Sequence, residues 1–166
     1  EHGAEVPRDV EALAQELGIP LPPQAAGILD QLSSIAEGIA LVEEVGPRVR
    51  ARILSAGELL STRIGAAFLA EQGLEVRWAD ARSLLEATPD EDRPAARRYL
   101  DATCTPREDG SVSEALNALG GTVVLTQGFI ARRPDDGATC VLGRGGSDTS
   151  AALLAAALGA QRCEIW

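Results

Sequence analysis

The sequence predicts an α/β fold, because segments with helical and with strand-like patterns alternate along the chain. Apolar residues recur at helical spacing through the first half, and short β-branched apolar runs follow in the second half. Glycine and proline separate the segments. A length of 166 residues suits one domain with a hydrophobic core. We therefore expect a single layered α/β domain.

Three helices are predicted in the first half. Residues 7–18 place apolar side chains on one face and end at Gly18. Residues 25–46 again show helical spacing. Residues 48–73 are expected to begin with a short extended piece and to continue as a long helix.

The next segments are shorter. Residues 74–80 alternate between apolar and polar and predict a strand. Residues 82–110 are mixed and charged, which indicates a helical turn, a loop and an edge strand. Residues 111–121 predict a short helix capped by Ser113. The β-branched run at 122–131 predicts one buried strand.

The last third contains a turn and a glycine loop. The turn at 132–137 separates two apolar runs that could form a hairpin. After the glycines, a helix is expected from about Asp148 to Leu158, and residues 162–166 are expected to open another strand. Thr126 and Gln127 are expected to satisfy backbone groups at a strand end. Trp78 and Trp166 are expected to be packing residues.

Composition excludes some classes of partner. The formal net charge is -10 and every basic residue is an arginine, which argues against nucleic acid or an anionic membrane. No apolar run is expected to reach membrane-spanning length, and a signal-peptide pattern is lacking, so we expect a cytoplasmic protein. The three cysteines, Cys104, Cys140 and Cys163, are expected to be buried, reduced thiols. One histidine is too few for a histidine-based metal site.

The glycine loop at residues 143–146 is the most unusual feature. It lacks the lysine of a nucleotide-binding P-loop, and Asp148 stands where the dinucleotide fingerprint requires a third glycine. What remains is a helix N-terminus, which attracts negative charge and which Ser147 could cap. Arg144 could grip a carboxylate with two hydrogen bonds. The pattern leaves open a mere connection or a site for a small acidic or zwitterionic substrate near a phosphate.

The segments "SAGELLST", "TQGFIA" and "LGRGGSDTSAALLAAALGA" together resemble those of the aspartate kinases, which belong to the amino-acid kinase superfamily. The resemblance runs from about Ile39 to Trp166. It implies a three-layer αβα sandwich with the amino-acid kinase (carbamate kinase-like) fold, incomplete at both ends. It also implies ATP-dependent phosphorylation of the side-chain carboxylate of L-aspartate, with Mg²⁺ accompanying ATP. A homo-oligomer is expected when the protein is full length.

The resemblance assigns roles to particular residues. Glu58 would hold the substrate amino group, and Arg144 and Ser147 would bind a substrate carboxylate. Asp148 would organise the reacting groups, and Phe129 would line the pocket. The phosphate loop glycines would let the backbone approach the transferred phosphoryl group; they are Gly143, Gly145 and Gly146.

The sequence also departs from the family pattern. The family's Lys-Phe-Gly-Gly-Thr segment, whose lysine contacts the phosphates, is absent, as are its later nucleotide-binding segment and ACT domains. Residues 1–166 are therefore interpreted as part of one catalytic domain and are expected to be inactive alone. Two alternatives stay open: a related amino-acid kinase acting on another acid, and a non-catalytic amino-acid sensor.

Overall fold

The computed structural model describes residues 5–106 and 109–166. Three helices lead into short strands and further helices, as the alternating pattern predicts. The helices are α1 (Glu5–Glu16), α2 (Pro23–Val42), α3 (Pro47–Glu71), α4 (Ala81–Leu84), α5 (Ala95–Leu100), α6 (Ser111–Leu119) and α7 (Gly146–Leu158). The strands are β1 (Val76–Trp78), β2 (Val123–Leu125), β3 (Ile130–Arg132) and β4 (Thr139–Val141).

The four strands form two pairs. β1 pairs with β2 in parallel, and β3 pairs with β4 antiparallel, which confirms the expected hairpin. Isolated bridges extend the second pair toward Glu86, which follows α4, and toward Ala102, which follows α5. Because β1 and β2 are parallel, their carboxyl ends lie at the same edge of that pair.

Alternation along β3 and β4 assigns their side chains to two apolar layers. Ile130 and Val141 pack with Leu59 of α3 on one side. Ala131 and Cys140 pack with a cluster that includes Leu153 of α7 on the other side. Because successive strand residues point to opposite faces, the strands lie between α3 and α7. This layering agrees with the expected αβα arrangement.

Several element boundaries differ from the sequence expectations. α3 is helical from Pro47, with no extended piece, because proline is suited to the first helical position. α2 ends at Val42, where Glu43 takes a left-handed conformation at φ 55°. The run at 122–131 is two strands and a turn rather than one strand.

Two predicted helix caps are also wrong. Ser113 lies inside α6, which follows Gly110, and its hydroxyl donates to the Ala157 carbonyl oxygen of α7 at 3.1 Å. Gly145 with φ 72° precedes α7, so Ser147 lies within the helix and does not cap it.

The segment before α6 and the last residues of the chain also differ from the sequence expectations. In the described part of 82–110, α4 is the predicted helical turn, and α5 replaces much of the loop. Isolated bridges stand in place of the edge strand, and residues 107–108 lie outside the described residues. Residues 162–166 form no strand. Trp166 is fully exposed, so its predicted packing role is wrong, as is the predicted burial of Cys163.

Two helices meet the length and composition needed to cross a membrane. α2 and α3 both do so, which corrects the expectation that no apolar run is long enough. This is weak support for a membrane location, since the core helix of a soluble protein meets the same criterion. α3 packs on β1 and β4 and buries Leu59, Leu60 and Ile64.

Candidate functional site

The glycine loop joins β4 to α7, and two of its glycines are needed for different reasons. Gly145 has φ 72°, a left-handed conformation that side chains other than glycine rarely adopt. Gly146 is surrounded: an added Cβ would lie 2.8 Å from both Leu142 Cβ and Phe129 Cδ2. The loop is therefore built for close packing as well as for a sharp turn.

A second tight turn at residues 126–129 follows β2 and packs directly against this loop. Phe129 has φ 69°, an uncommon conformation for an aromatic residue. An added Cβ on Gly128 would lie 2.9 Å from Ser147 Cα. The backbone of the second turn thus touches the start of α7, and a side chain at position 128 would separate the two.

Ser150 fastens the two turns together. Its buried Oγ accepts a hydrogen bond from the Phe129 amide at 3.0 Å and donates one to the Gly146 carbonyl oxygen at 2.8 Å. The Leu142 amide also donates to the Phe129 carbonyl oxygen at 2.8 Å. These bonds stabilise the strained Phe129 backbone. Sequence reasoning missed Ser150, although a serine directly before the alanine-rich part of a helix is a detectable signal.

The loop and the turn border an open cavity of about 350 Å³. Arg144, Ser147 and Phe129 line it together with the loop glycines, so four kinds of predicted site residue meet there. Leu100 from the end of α5 adds an apolar wall, which sequence reasoning missed because α5 is distant along the chain. Asp148 and Glu58 do not line this cavity.

The two charged groups beside the loop make no polar contact of their own with the described part of the chain. Arg144 and Asp148 are exposed, and their side chains make no hydrogen bond or ion pair with any residue that the structure describes. Asp101 lies against Gly143, so close that an added Cβ there would overlap its carboxylate. A guanidinium and a hydroxyl beside exposed backbone at a helix N-terminus can receive a small anion.

Glu58 belongs to a neighbouring network on α3. Thr62 Oγ1 donates to the Glu58 carbonyl oxygen at 2.8 Å and accepts hydrogen bonds from Trp78 Nε1 and Gln127 Nε2. Partial burial raises the pKa of the Glu58 carboxyl. The structure therefore joins the Glu58 turn of α3 to the ends of β1 and β2.

Gln127 is the centre of that connection. Its side chain is almost fully buried, accepts from the Ala81 amide at 2.9 Å and donates to the Ala79 carbonyl oxygen at 3.2 Å. The expectation that Gln127 satisfies backbone groups is confirmed. Thr126 differs, because its buried Oγ1 has no hydrogen-bond partner among the described residues.

These features define an α/β protein in which a glycine loop joins a strand to a helix at the border of an open cavity. The sequence pattern of the amino acid kinase family matches residues 9–166, and the chain belongs to that family.

The relatives and solved structures that this chain resembles are named as aspartokinases or aspartate kinases. The chain is 36% identical over 137 residues to the bifunctional aspartokinase/homoserine dehydrogenase of Buchnera aphidicola, covering 82% of this chain and 16% of that protein. It is 35% identical over 139 residues to lysine-sensitive aspartokinase 3 of Escherichia coli, covering 84% of this chain and 29% of that protein. The chain thus spans less than a third of either relative.

Among solved structures, E. coli aspartokinase III in complex with aspartate and ADP superimposes with a TM-score of 0.71 and 31% identity, over 98% of this chain and 36% of that one. The aspartate kinase of Clostridium acetobutylicum superimposes with a TM-score of 0.62 over 95% of this chain and 29% of that one. At 16% identity, the second match supports the fold alone. The predicted amino-acid kinase fold is confirmed.

Proposed function

We propose that this chain is part of the catalytic domain of an aspartate kinase. The reaction is transfer of the γ-phosphoryl group of ATP to the side-chain carboxylate of L-aspartate, giving 4-phospho-L-aspartate, the first step toward lysine, threonine and methionine. The observation that carries the proposal is the close packing of the turn at 126–129 against the loop at 143–146. The Ser150 hydroxyl joins the two through hydrogen bonds. The relatives named as aspartokinases support it.

Each site residue has a role that its chemistry suits. The Arg144 guanidinium and the Ser147 hydroxyl bind a substrate carboxylate, for which arginine offers two parallel hydrogen bonds. Glu58 holds the substrate ammonium group, and Phe129 walls the pocket beside Leu100. Asp148 organises the reacting groups. The loop glycines allow backbone N–H groups to approach the phosphoryl oxygens, where negative charge must be stabilised.

The phosphates of ATP need a cation in the place of the family's lysine. The sequence has no lysine. Within residues 5–106 and 109–166, no three histidine, cysteine or acidic side chains cluster as metal ligands. Mg²⁺ therefore fits as a counter-ion held by ATP itself rather than as a resident metal. Residues 1–166 alone should not turn over.

The proposal includes the rest of the protein. A Lys-Phe-Gly-Gly-Thr segment would precede these residues, and a nucleotide-binding segment and ACT domains would follow them. A cytoplasmic location and a homo-oligomeric full-length enzyme belong to the same proposal. Reading the coding sequence on both sides tests this arrangement, and a start codon directly before Glu1 with a stop codon after Trp166 would contradict it.

The activity is tested with the full-length protein, ATP, Mg²⁺ and aspartate, by trapping the product 4-phospho-L-aspartate with hydroxylamine. Arg144→Ala and Asp148→Asn should each lower the yield by about 100-fold, the scale on which lost charge stabilisation acts. Arg50→Ala, an exposed arginine on α3, is the matched control and should retain activity. Near-wild-type yield in both loop variants would contradict the assignment of the loop.

Substrate comparison separates the alternatives. Aspartate should be phosphorylated and glutamate should not compete with it. Preferred phosphorylation of glutamate would indicate a related amino-acid kinase. Binding of aspartate without ATP and without any turnover would indicate a sensor, and it would overturn the catalytic proposal.

A further inference from the structure

A second polar cavity lies apart from the glycine loop, between α2, α3 and the end of β1. Its volume is about 170 Å³. Three arginines line it against one carboxylate, in a chain whose net charge is -10. The arginines are Arg52, Arg63 and Arg82, and the carboxylate is Asp80. This cavity is thus a local concentration of positive charge on an acidic protein.

Arg82 and Asp80 neutralise each other. Arg82 Nε and Nη2 donate to the two Asp80 carboxylate oxygens at 2.9 and 2.6 Å, and Nη1 donates to Thr139 Oγ1 at 3.1 Å. This pair fixes one wall of the cavity and gives Asp80 a bidentate arginine partner. The other two arginines are therefore not needed to satisfy Asp80.

Arg63 is held in place but has no hydrogen-bond acceptor. Its guanidinium stacks on the Trp78 ring, 3.2 Å from the ring centroid. Its N–H groups donate to no residue among those the structure describes. Burial lowers the pKa of Arg63, while Asp80 raises it and Arg82 lowers it. A guanidinium covered on one face and unpaired at its edge is suited to receive an anion.

Arg52 lies on the same stripe of α3, three helical turns before Arg63. Its side chain also makes no hydrogen bond or ion pair within the described residues. The facing wall belongs to α2, which contributes the apolar Ile28, Leu32 and Ile35 as well as two glutamines, Gln24 and Gln31. The cavity thus combines two available cations with a short aliphatic surface.

We propose that this cavity binds a small organic anion, with its carboxylate or phosphate on Arg63 and Arg52 and its short aliphatic part against α2. Neither the glycine loop nor Glu58 takes part, so the site is separate from the one proposed for aspartate. Because Trp78 also donates to Thr62 Oγ1, which bonds the Glu58 backbone, an occupant of the cavity lies two side chains away from Glu58.

The test is ligand-observed saturation-transfer NMR on the full-length protein, with isovalerate as the probe. Its uncharged isostere isovaleramide and inorganic phosphate are the comparison ligands, at matched ionic strength. Isovalerate methyl signals should show saturation transfer, and isovaleramide should bind about tenfold more weakly because the charge-assisted hydrogen bonds are lost. Competition by phosphate would place the phosphate at the same two arginines.

Substitutions of the cavity arginines test whether the isovalerate signal comes from the cavity. Arg63→Met and Arg52→Met keep the aliphatic stems and should each weaken isovalerate binding about tenfold. Arg50→Met on the same helix and Arg144→Ala in the glycine loop should leave binding unchanged. If Arg63→Met fails to fold, judged by circular dichroism, the exposed Arg52 carries the test.

The proposal is overturned if isovalerate and isovaleramide bind equally, if neither binds, or if Arg52→Met binds isovalerate as the unaltered protein does. Loss of binding in Arg144→Ala would also overturn it, because the probe would then occupy the glycine-loop site. The aspartate kinase proposal does not depend on either result, since it is judged by acyl phosphate formation.

Discussion

Ser150 and Phe129 are joined across the candidate site: the Phe129 amide donates to the buried Ser150 Oγ at 3.0 Å, although the residues lie 21 positions apart. Phe129 holds a left-handed conformation, which costs about 1–3 kcal/mol and persists only where its surroundings enforce it. Ser150 supplies part of that enforcement from α7. The shape of the glycine loop therefore depends on a hydroxyl one turn inside the following helix.

Ser150→Ala should lower the free energy of unfolding by about 1–3 kcal/mol, because the Phe129 amide loses its acceptor. Urea unfolding followed by circular dichroism measures the change. Ser61→Ala is the matched control, since the exposed Ser61 hydroxyl bonds only to its own helix, and it should change stability by less than about 0.5 kcal/mol. Equal effects of the two substitutions would contradict the role of Ser150.

Gln127→Leu should lower the free energy of unfolding by about 1–3 kcal/mol. The substitution leaves the buried Ala81 amide and Ala79 carbonyl oxygen without their hydrogen-bond partner. The same substitution at the exposed Gln15 of α1 should be close to neutral. Thermal unfolding of both variants provides the comparison, and an unaltered midpoint for Gln127→Leu would show that the connection is dispensable.

Gly146→Ala should destabilise by about 1–3 kcal/mol, because the new Cβ would meet Leu142 and Phe129 at 2.8 Å and force the turn apart. Gly38→Ala is the opposite case. Gly38 lies inside α2 with nothing within 4 Å of an added Cβ, so alanine there should stabilise by about 0.5–1 kcal/mol. Chemical denaturation decides, and stabilisation by both substitutions would contradict the packing at Gly146.

The cysteines should react with a thiol reagent in a fixed order. Cys163 is exposed, whereas burial, with a smaller effect of nearby charge, raises the pKa of Cys104 to about 11 and that of Cys140 to about 12. At pH 8 these two thiols hold little thiolate, so the native protein should show one fast thiol among the three, and Cys163→Ser should abolish it. Reactivity of Cys104 should rise as pH approaches 11. A fast reaction at pH 8 that survives Cys163→Ser would contradict this order.

Much of the fold followed from local patterns. The apolar spacing of α1, α2 and α3, the alternation around β1 and the apolar run around β4 predict those elements, because each buries one face against the rest of the chain. Boundaries were less predictable. The run at 122–131 was predicted as one strand, and the packing of Gly128 against Ser147 shows why the strand breaks there.

The motifs were visible in the sequence, but their assembly was not. Arg144, Ser147 and the loop glycines are neighbours along the chain, so the sequence alone placed them together at the start of α7. Phe129 joins them through a hydrogen bond to Ser150, and Leu100 through the packing of α5, which are contacts between distant segments. Glu58 lies in a separate network on α3.

The sequence by itself determined the first three helices, the residue types of the glycine loop and the absence of lysine. These depend on residue type and on spacing over a few positions. The tertiary structure decided which glycines are sterically required, which hydroxyl joins the two turns and that Arg63 lines a cavity without bonding to any described residue. Such features arise where segments far apart in the chain come within van der Waals distance, and no local pattern encodes that distance.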